Sequence, residues 1–401
     1  MAGALSSLKI VEVGEMVSAP YCSKLLADMG AEVVKVERPG VGDRARTRGP
    51  FPGDVAHPEQ SGLFLYLNTN KRGVTLDITQ PEGFEILEKL VADADILIHN
   101  ITPPEMDRVG LTYERMRRAN PKLIMTSIVP FGLTGPYRNY RAEDLTIWCA
   151  GGVCVLNGAP DFPELPPLKT AGQQAGYQGG AHAATATVAA AFAQLRDGTG
   201  QHVEVSIQES IASILEMTFE YWPYMKMLST RYGQKPLAPV AAMQCKDGYI
   251  FLCCIEEHQW RNFVEIMGNP EWAEEEIFKD RLVRAVNWDA LKVLLEPWVS
   301  QQTVLDLYRK AQAKRVPFAP VSTMGDLVNS EHLKARGFFV EIAQPVAGTH
   351  LYPGAPLKYA RTPWAIRRPA PTLGQHNAEV FGTQLGLSQA RLDELKRKGV
   401  I

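Results

Sequence analysis

Over the first 130 residues, short apolar runs alternate with amphipathic ones. LKIVEV, AEVVKVE, GVTLDI, DILIHNI and KLIMTSIVPFG have strand length and β-branched composition. PYCSKLLADMG, PEGFEILEKLVADA and YERMRRANP carry the helical period, and Gly30 and Gly110 just past helical segments suit left-handed C-caps. Strand-helix-strand repetition of this kind predicts an α/β fold, a Rossmann-like, doubly wound parallel sheet with right-handed crossovers.

Residues 129–181 are rich in Gly and Pro and lie between ordered halves, which reads as a site-forming loop region. An alanine-rich helix follows (AHAATATVAAAFAQL), then the turn DGTG, the strand HVEVSI and one long helix, QESIASILEMTFEYW. From 228 to 325 the texture changes to a strand pair around DGYIFLCCI, three amphipathic helices and the strand PFAPVST, a smaller α+β domain. The large domain is then 1–227, completed by a C-terminal segment, 326–401, that wraps back over it.

The chain has 401 residues, 45% hydrophobic and 21% charged, with a net charge of −2. That is length enough for a large core, and it supplies no field that would gather nucleic acid or anionic lipid. The six cysteines have no metal-type spacing, and Cys253 and Cys254 read as reduced thiols in an apolar strand. The histidines never pair at helical ligand spacing, so no metal site is expected. No apolar run reaches the roughly 18 residues of a membrane span, and MAGALSSLKIVEV is no signal peptide. A cytoplasmic protein is the expectation.

A doubly wound sheet invites a dinucleotide reading. The first strand-to-helix turn, VEVGEMVSAP, has one glycine where the pyrophosphate fingerprint needs three. Met16, Val17 and Pro20 occupy that turn, and Glu37, the counterpart of the ribose acid, is followed by Arg38. Classical NAD binding is disfavoured.

Six segments in order carry a different likeness: 26–46, 68–78, 94–100, 107–137, 197–210 and 370–388. Together they resemble the family III coenzyme A transferases, the group that includes formyl-CoA and carnitine-CoA transferases. The resemblance implies a Rossmann-like large domain, a small domain and an interlocked dimer. It also implies coenzyme A as substrate or ligand, with no separate cofactor. Met16, Val17 and Ser18 then pack adenine, and Arg38 meets the nucleotide end. Leu76, Asn100, Ile101, Arg108 and Val109 line the nucleotide and pantetheine path. Arg141 replaces a family lysine near the phosphates, where it can bond bidentately, and Thr79 replaces another. Taken singly, each of these arginines reads as a solvated surface charge.

The family attacks a donor thioester with an Asp carboxylate, giving an anhydride and then an enzyme thioester. The matching stretch here is PPLKTAGQQAGYQGGAHAATATVAAAF, and the nucleophile's position falls on Gly176. No Asp or Glu lies between Glu164 and Asp197. Glu143 and Asp144 are the nearest candidates; Asp144 reads first as the cap of the helix it opens, second as a substitute nucleophile. Acyl-CoA racemases of this fold need a His at position 143 and an Asp at 176, and neither is present.

Three readings stay open. One is a non-catalytic subunit of a heteromeric CoA-transferase, completed by a related chain carrying the Asp, as in benzylsuccinate CoA-transferase, with a substituted succinate as acceptor. Another is a self-sufficient homodimer that uses Asp144, Glu143 or a non-covalent ternary mechanism. The third is a module that binds acyl-CoA without turnover.

Overall fold

Near-continuous apolar runs such as ILIH and IMTSIV dictate a sheet buried on both faces, the signature of parallel strands covered by helices. The computed structural model describes residues 3–158, 164–231 and 237–401. Six parallel strands form one sheet: β1 (Lys9–Val13), β2 (Glu32–Glu37), β3 (Lys71–Thr75), β4 (Ile96–His99), β5 (Ile124–Val129) and β6 (His202–Ser206). Their order is β3-β2-β1-β4-β5-β6. Val11, Val34, Val36 and Leu97 join one core with Phe84 and Leu87 of the helix Pro81–Ala92. Ile10, Val33, Ile96 and Ile98 point the other way, into a core with Leu26 and the alanines of the helix Gln174–Asp197.

The chain divides into two units, Met1–Arg231 with Phe338–Ile401, and Tyr232–Gly337. The second holds the antiparallel strands Val240–Gln244 and Tyr249–Cys253, extended by Ala319–Pro320. Its own core includes Trp260, Phe263, Leu291 and Phe318. It runs past the expected limit of 325 because two short helices, Met324–Asn329 and Glu331–Ala335, belong to it. The other expected limit, near 228, borders residues 232–236, which lie outside the described residues.

Three elements depart from the sequence pattern. The long helix expected after β6 is two, Ile207–Ala212 and Met217–Met225, interrupted where Glu216 adopts φ 52°. The Ser210 and Ser213 hydroxyls donate to the Ser206 and Ser210 carbonyls, the kind of local bond that competes with a continuing helix. The alanine-rich helix begins at Gln174, so Gly176 lies in its first turn. Phe339–Gln344 and Gly348–Pro353 pair as an antiparallel hairpin, which the sequence reading left unassigned. The following segment returns to the sheet, where His376 Nδ1 accepts the Gly73 N–H and the Gly73 carbonyl accepts the His376 N–H.

Between β4, β5 and β6 a hydrogen-bonded chain runs through the interior. His99 Nδ1 accepts the Ile101 N–H at 3.3 Å, which leaves the neutral ring's proton on Nε2. His99 Nε2 lies 2.7 Å from the Ser127 hydroxyl, and His202 Nε2 lies 2.8 Å beyond it. Burial pushes His99 down to about 3, with a smaller contribution from His202. Unfolding therefore takes up a proton between about pH 3 and the ordinary imidazole value, and stability is lost as the pH falls through that window. Between pH 7.5 and 5.5 His99 alone removes about 1.4 kcal/mol. Urea titrations at the two pH values check this: His99→Gln is expected to be less stable at pH 7.5 but to lose less on acidification. An equal loss in both proteins would exclude His99 as the source.

Candidate functional site

The strand order reverses between β1 and β4, and the crevice beyond the carboxyl ends of such neighbouring strands is where open α/β sheets hold ligands. Gly14–Ser18 leaves β1 and Asn100 leaves β4 at this point. Asn100 joins the two turns: Oδ1 accepts the Glu15 N–H at 3.1 Å, while Nδ2 donates to the Glu15 carbonyl at 2.8 Å and to Ser18 Oγ at 3.0 Å. Met16 is held at φ 62°, an uncommon conformation for a side-chain-bearing residue. Its N–H donates to Asp43 Oδ1 at 2.8 Å.

Behind the turn lies a fully buried charge network. Lys35 Nζ donates to Glu12 Oε1 at 2.8 Å and to the Gly14 carbonyl at 2.9 Å, and sits 2.9 Å from Asp43 Oδ2. Lys71 Nζ meets Glu12 Oε2 at 2.7 Å. Burial alone would raise the Glu12 carboxyl, but the two ammonium groups outweigh it and hold it down to about 2. Burial draws Lys71 down to about 8 against the pull of Glu12.

At the surface of the crevice, Glu15 is shared by two arginines, Arg44 Nε at 2.7 Å and Arg38 at 3.4 Å. Arg44 also lies 3.6 Å from Glu143, which is exposed. The turn Met16-Val17-Ser18, Arg38, Asn100 and Glu143 are thus brought together. Arg108 stands apart, paired at 3.1 Å with Glu105 on an exposed helix. Ile101 and Val109 pack against the core and Leu76 lies inside it, 1% exposed, so its side chain is closed to a ligand. Arg141 is exposed.

Gly176 packs directly on this turn. A Cβ built there would sit 2.8 Å from Val17 Cβ and 3.0 Å from Val17 Cγ1, closer than side-chain carbons approach. The volume in which a side chain at 176 would begin is occupied by valine. The neighbouring carboxylate belongs to Asp144, the first residue of the helix Asp144–Ala150. It does not cap that helix, as the sequence had suggested; Thr146 Oγ1 accepts the Glu143 N–H there instead. Asp144 Oδ1 accepts the Gly176 N–H at 3.1 Å, and Oδ2 lies 2.9 Å from Lys169 Nζ. That contact is an ion pair outside hydrogen-bonding angles, since Oδ2 is buried without a hydrogen-bond donor.

The matching family model is CoA-transferase family III, over residues 5–377. The chain belongs to this family. It is 28% identical to the succinyl-CoA–L-malate CoA-transferase beta subunit of Chloroflexus aurantiacus, covering 99% of this chain and 98% of that one. It is 30% identical to the formyl-CoA:oxalate CoA-transferase of Afipia carboxidovorans, covering 100% of this chain and 98% of that one. Among solved structures, a family protein from Brucella suis superposes with a TM-score of 0.86 at 29% identity, covering 96% of this chain and all of that one. Among the described residues no helix is long and apolar enough to cross a membrane, and no group of three potential metal ligands is present.

Sequence reasoning missed Glu15, Asp43, Arg44 and Lys169. Each acts by pairing with a residue far along the chain, and no local period marks such a pairing. The network predicts an asymmetry in stability. Asp43→Ala leaves Lys35 short of a counter-charge and Met16 without its acceptor, at an expected loss of about 3–5 kcal/mol. Arg38→Ala removes an exposed pair and should cost under about 1 kcal/mol. Guanidinium unfolding of both variants checks the difference.

Proposed function

We propose that this chain is the non-nucleophilic subunit of a heteromeric CoA-transferase. It would bind a coenzyme A thioester at the β1–β4 crevice, while a related chain supplies the catalytic Asp. The observation that carries this reading is the packing of Val17 against Gly176. On this reading the family's chemistry places its carboxylate at position 176; glycine supplies none, and Val17 stands 2.8 Å from where a Cβ there would begin.

Two further features support a partner chain. The helix Met217–Met225 buries none of its residues, and Phe219, Trp222 and Tyr224 on it are 56%, 50% and 83% exposed. On the 174–197 helix Phe192 and Leu195 are 76% and 83% exposed. Apolar side chains in such density mark a surface that is covered in the working assembly. A relative over the full length is itself named a beta subunit, of a succinyl-CoA–L-malate CoA-transferase. On that analogy the acceptor is a substituted succinate, and the interlocked dimer is made with the catalytic chain rather than a second copy.

One observation favours a rival. Asp144 Oδ1 reaches the backbone of Gly176, so a carboxylate does stand beside the expected position, on a different element. Its engagement by Lys169 and by the Gly176 N–H leaves it poorly placed to attack. A module that only binds acyl-CoA is the remaining alternative.

The purified chain, incubated with succinyl-CoA, other acyl-CoAs and hydroxylamine, is expected to bind CoA without changing mass. A hydroxamate on Asp144 or Glu143 would overturn the proposal in favour of the self-sufficient enzyme. Co-expression with an Asp-bearing relative is expected to give a heteromer with transferase activity; a bound but inactive pair would favour the binding module.

The position itself can be tested by restoring it. Gly176→Asp alone collides with Val17 and should cost about 1–3 kcal/mol in stability, with no covalent adduct. Combined with Val17→Ala, which opens the space, it is expected to regain stability and to form a hydroxylamine-sensitive adduct with acyl-CoA. Thermal melts and intact mass read the two effects separately.

A further inference from the structure

The segment after Asp144 carries a second chemistry. Cys149 lies near the end of the 144–150 helix and Cys154 opens the next short turn, Cys154–Leu156. The chain reverses between them through Gly151 and Gly152, the latter at φ 92°. This brings the two sulfurs to 2.8 Å. Bonded sulfurs stand at roughly 2.0 Å, so a small further approach separates the pair from a covalent link. Both are free thiols; Cys149 is exposed and Cys154 is buried.

We infer that Cys149 and Cys154 form a reversible intramolecular disulfide, a redox-sensitive lock on the segment that begins at Asp144. The oxidant is a low-molecular-weight disulfide. The exposed Cys149 thiolate attacks it, forming a mixed disulfide and releasing one thiolate. The Cys154 thiolate then attacks the Cys149 sulfur, closes the ring and expels the second. Both cysteine protons pass to the departing thiolates, so two cysteine thiols and one disulfide become one protein disulfide and two small thiols.

The order follows from exposure, because only Cys149 is open to a reagent. Burial, and the neighbouring Cys149, push the Cys154 thiol up to about 11, while the nearby Lys169 ammonium opposes the shift. That makes Cys154 a poor first nucleophile but a strong one once deprotonated beside its target. The lock would act near the candidate site. Asn157, just past the pair, accepts the Leu168 N–H at 3.1 Å, and its side chain donates to Thr170 Oγ1 at 3.3 Å. Lys169, the partner of Asp144, lies between those two residues.

The test is peptide mapping of the full chain after oxidised glutathione. The tryptic peptide 142–169 contains both cysteines and no others. It is expected to lose about 2 Da, reversed by dithiothreitol, as two thiols become one disulfide. Cys154→Ser should retain a stable glutathione adduct on Cys149, and Cys149→Ser should show neither change. A lasting adduct on Cys149 in the unaltered chain, or no change in this peptide, would overturn the inference, and this readout needs no variant to fold. Amides 150–157 should exchange more slowly in the oxidised protein. Equal exchange in the two forms would overturn the lock.

Discussion

Glu12 is a carboxylate without solvent contact, in the middle of a central strand, and the geometry of the crevice depends on how its charge is balanced. It accepts from Lys35 on β2, its direct neighbour in register, from Lys71 at the start of β3, and from Ser23 Oγ. The pattern continues outward. Lys35 reaches Asp43, Asp43 accepts from Met16, and Glu37 receives Arg46 Nε and Nη2 at 2.7 and 2.8 Å. Three buried anions, Glu12, Glu37 and Asp43, thus face three buried cations, Lys35, Lys71 and Arg46. Desolvating such groups costs several kcal/mol each, so stability alone does not account for charges at these positions. What the charges supply is direction. Lys35, aligned by its carboxylates, donates to the Gly14 carbonyl, and Asp43 accepts the Met16 N–H, so two groups of the 14–18 turn are fixed by the network.

That turn is where the site's rigidity is needed. Met16 at φ 62° persists only if its surroundings over-determine it, and Asp43 on one side and Asn100 on the other do so. Val17 is therefore held in a fixed place, 3% exposed, and its contact with Gly176 is a contact between two rigid elements. The charge network and the fate of position 176 are mechanically linked through one residue.

The alternation of strands and helices was legible because both faces of the sheet are apolar and the period of each segment is intact. The charged positions were legible only as polar letters. Glu12 and Lys35 sit in KIVEV and EVVKVE where alternation would suggest solvent, yet both are fully buried, because their partners lie on neighbouring strands. The same holds for the site. Asn100 and the 16–18 turn were marked as ligand contacts, and the structure adds that Asn100 braces the turn with three hydrogen bonds. Leu76 was placed on the ligand path by resemblance, and its burial in the core could not be read from one apolar letter. The break between residues 212 and 217 was hidden for another reason: a serine can sit within a helix or bond locally against its continuation, and the letter alone does not say which.

Under the proposed assignment of position 176, the Val17–Gly176 contact also bears on which mechanisms remain open. In a non-covalent ternary route, the acceptor's own carboxylate would have to approach the thioester from the place where the family's Asp stands. An unfilled glycine position would admit it. Valine crowds that approach, since its Cβ and Cγ1 stand 2.8 and 3.0 Å from where a side chain at 176 would begin, with the Ser18 backbone nitrogen 3.7 Å from the same point. One backbone donor at this position, the Gly176 N–H, is already taken by Asp144. On the proposed assignment of position 176, absence of the carboxylate and crowding of its space by Val17 belong to one packing arrangement. The β1–β4 crevice and the exposed apolar side chains of the 174–197 and 217–225 helices remain beside it, which is what the proposed subunit role requires of this chain.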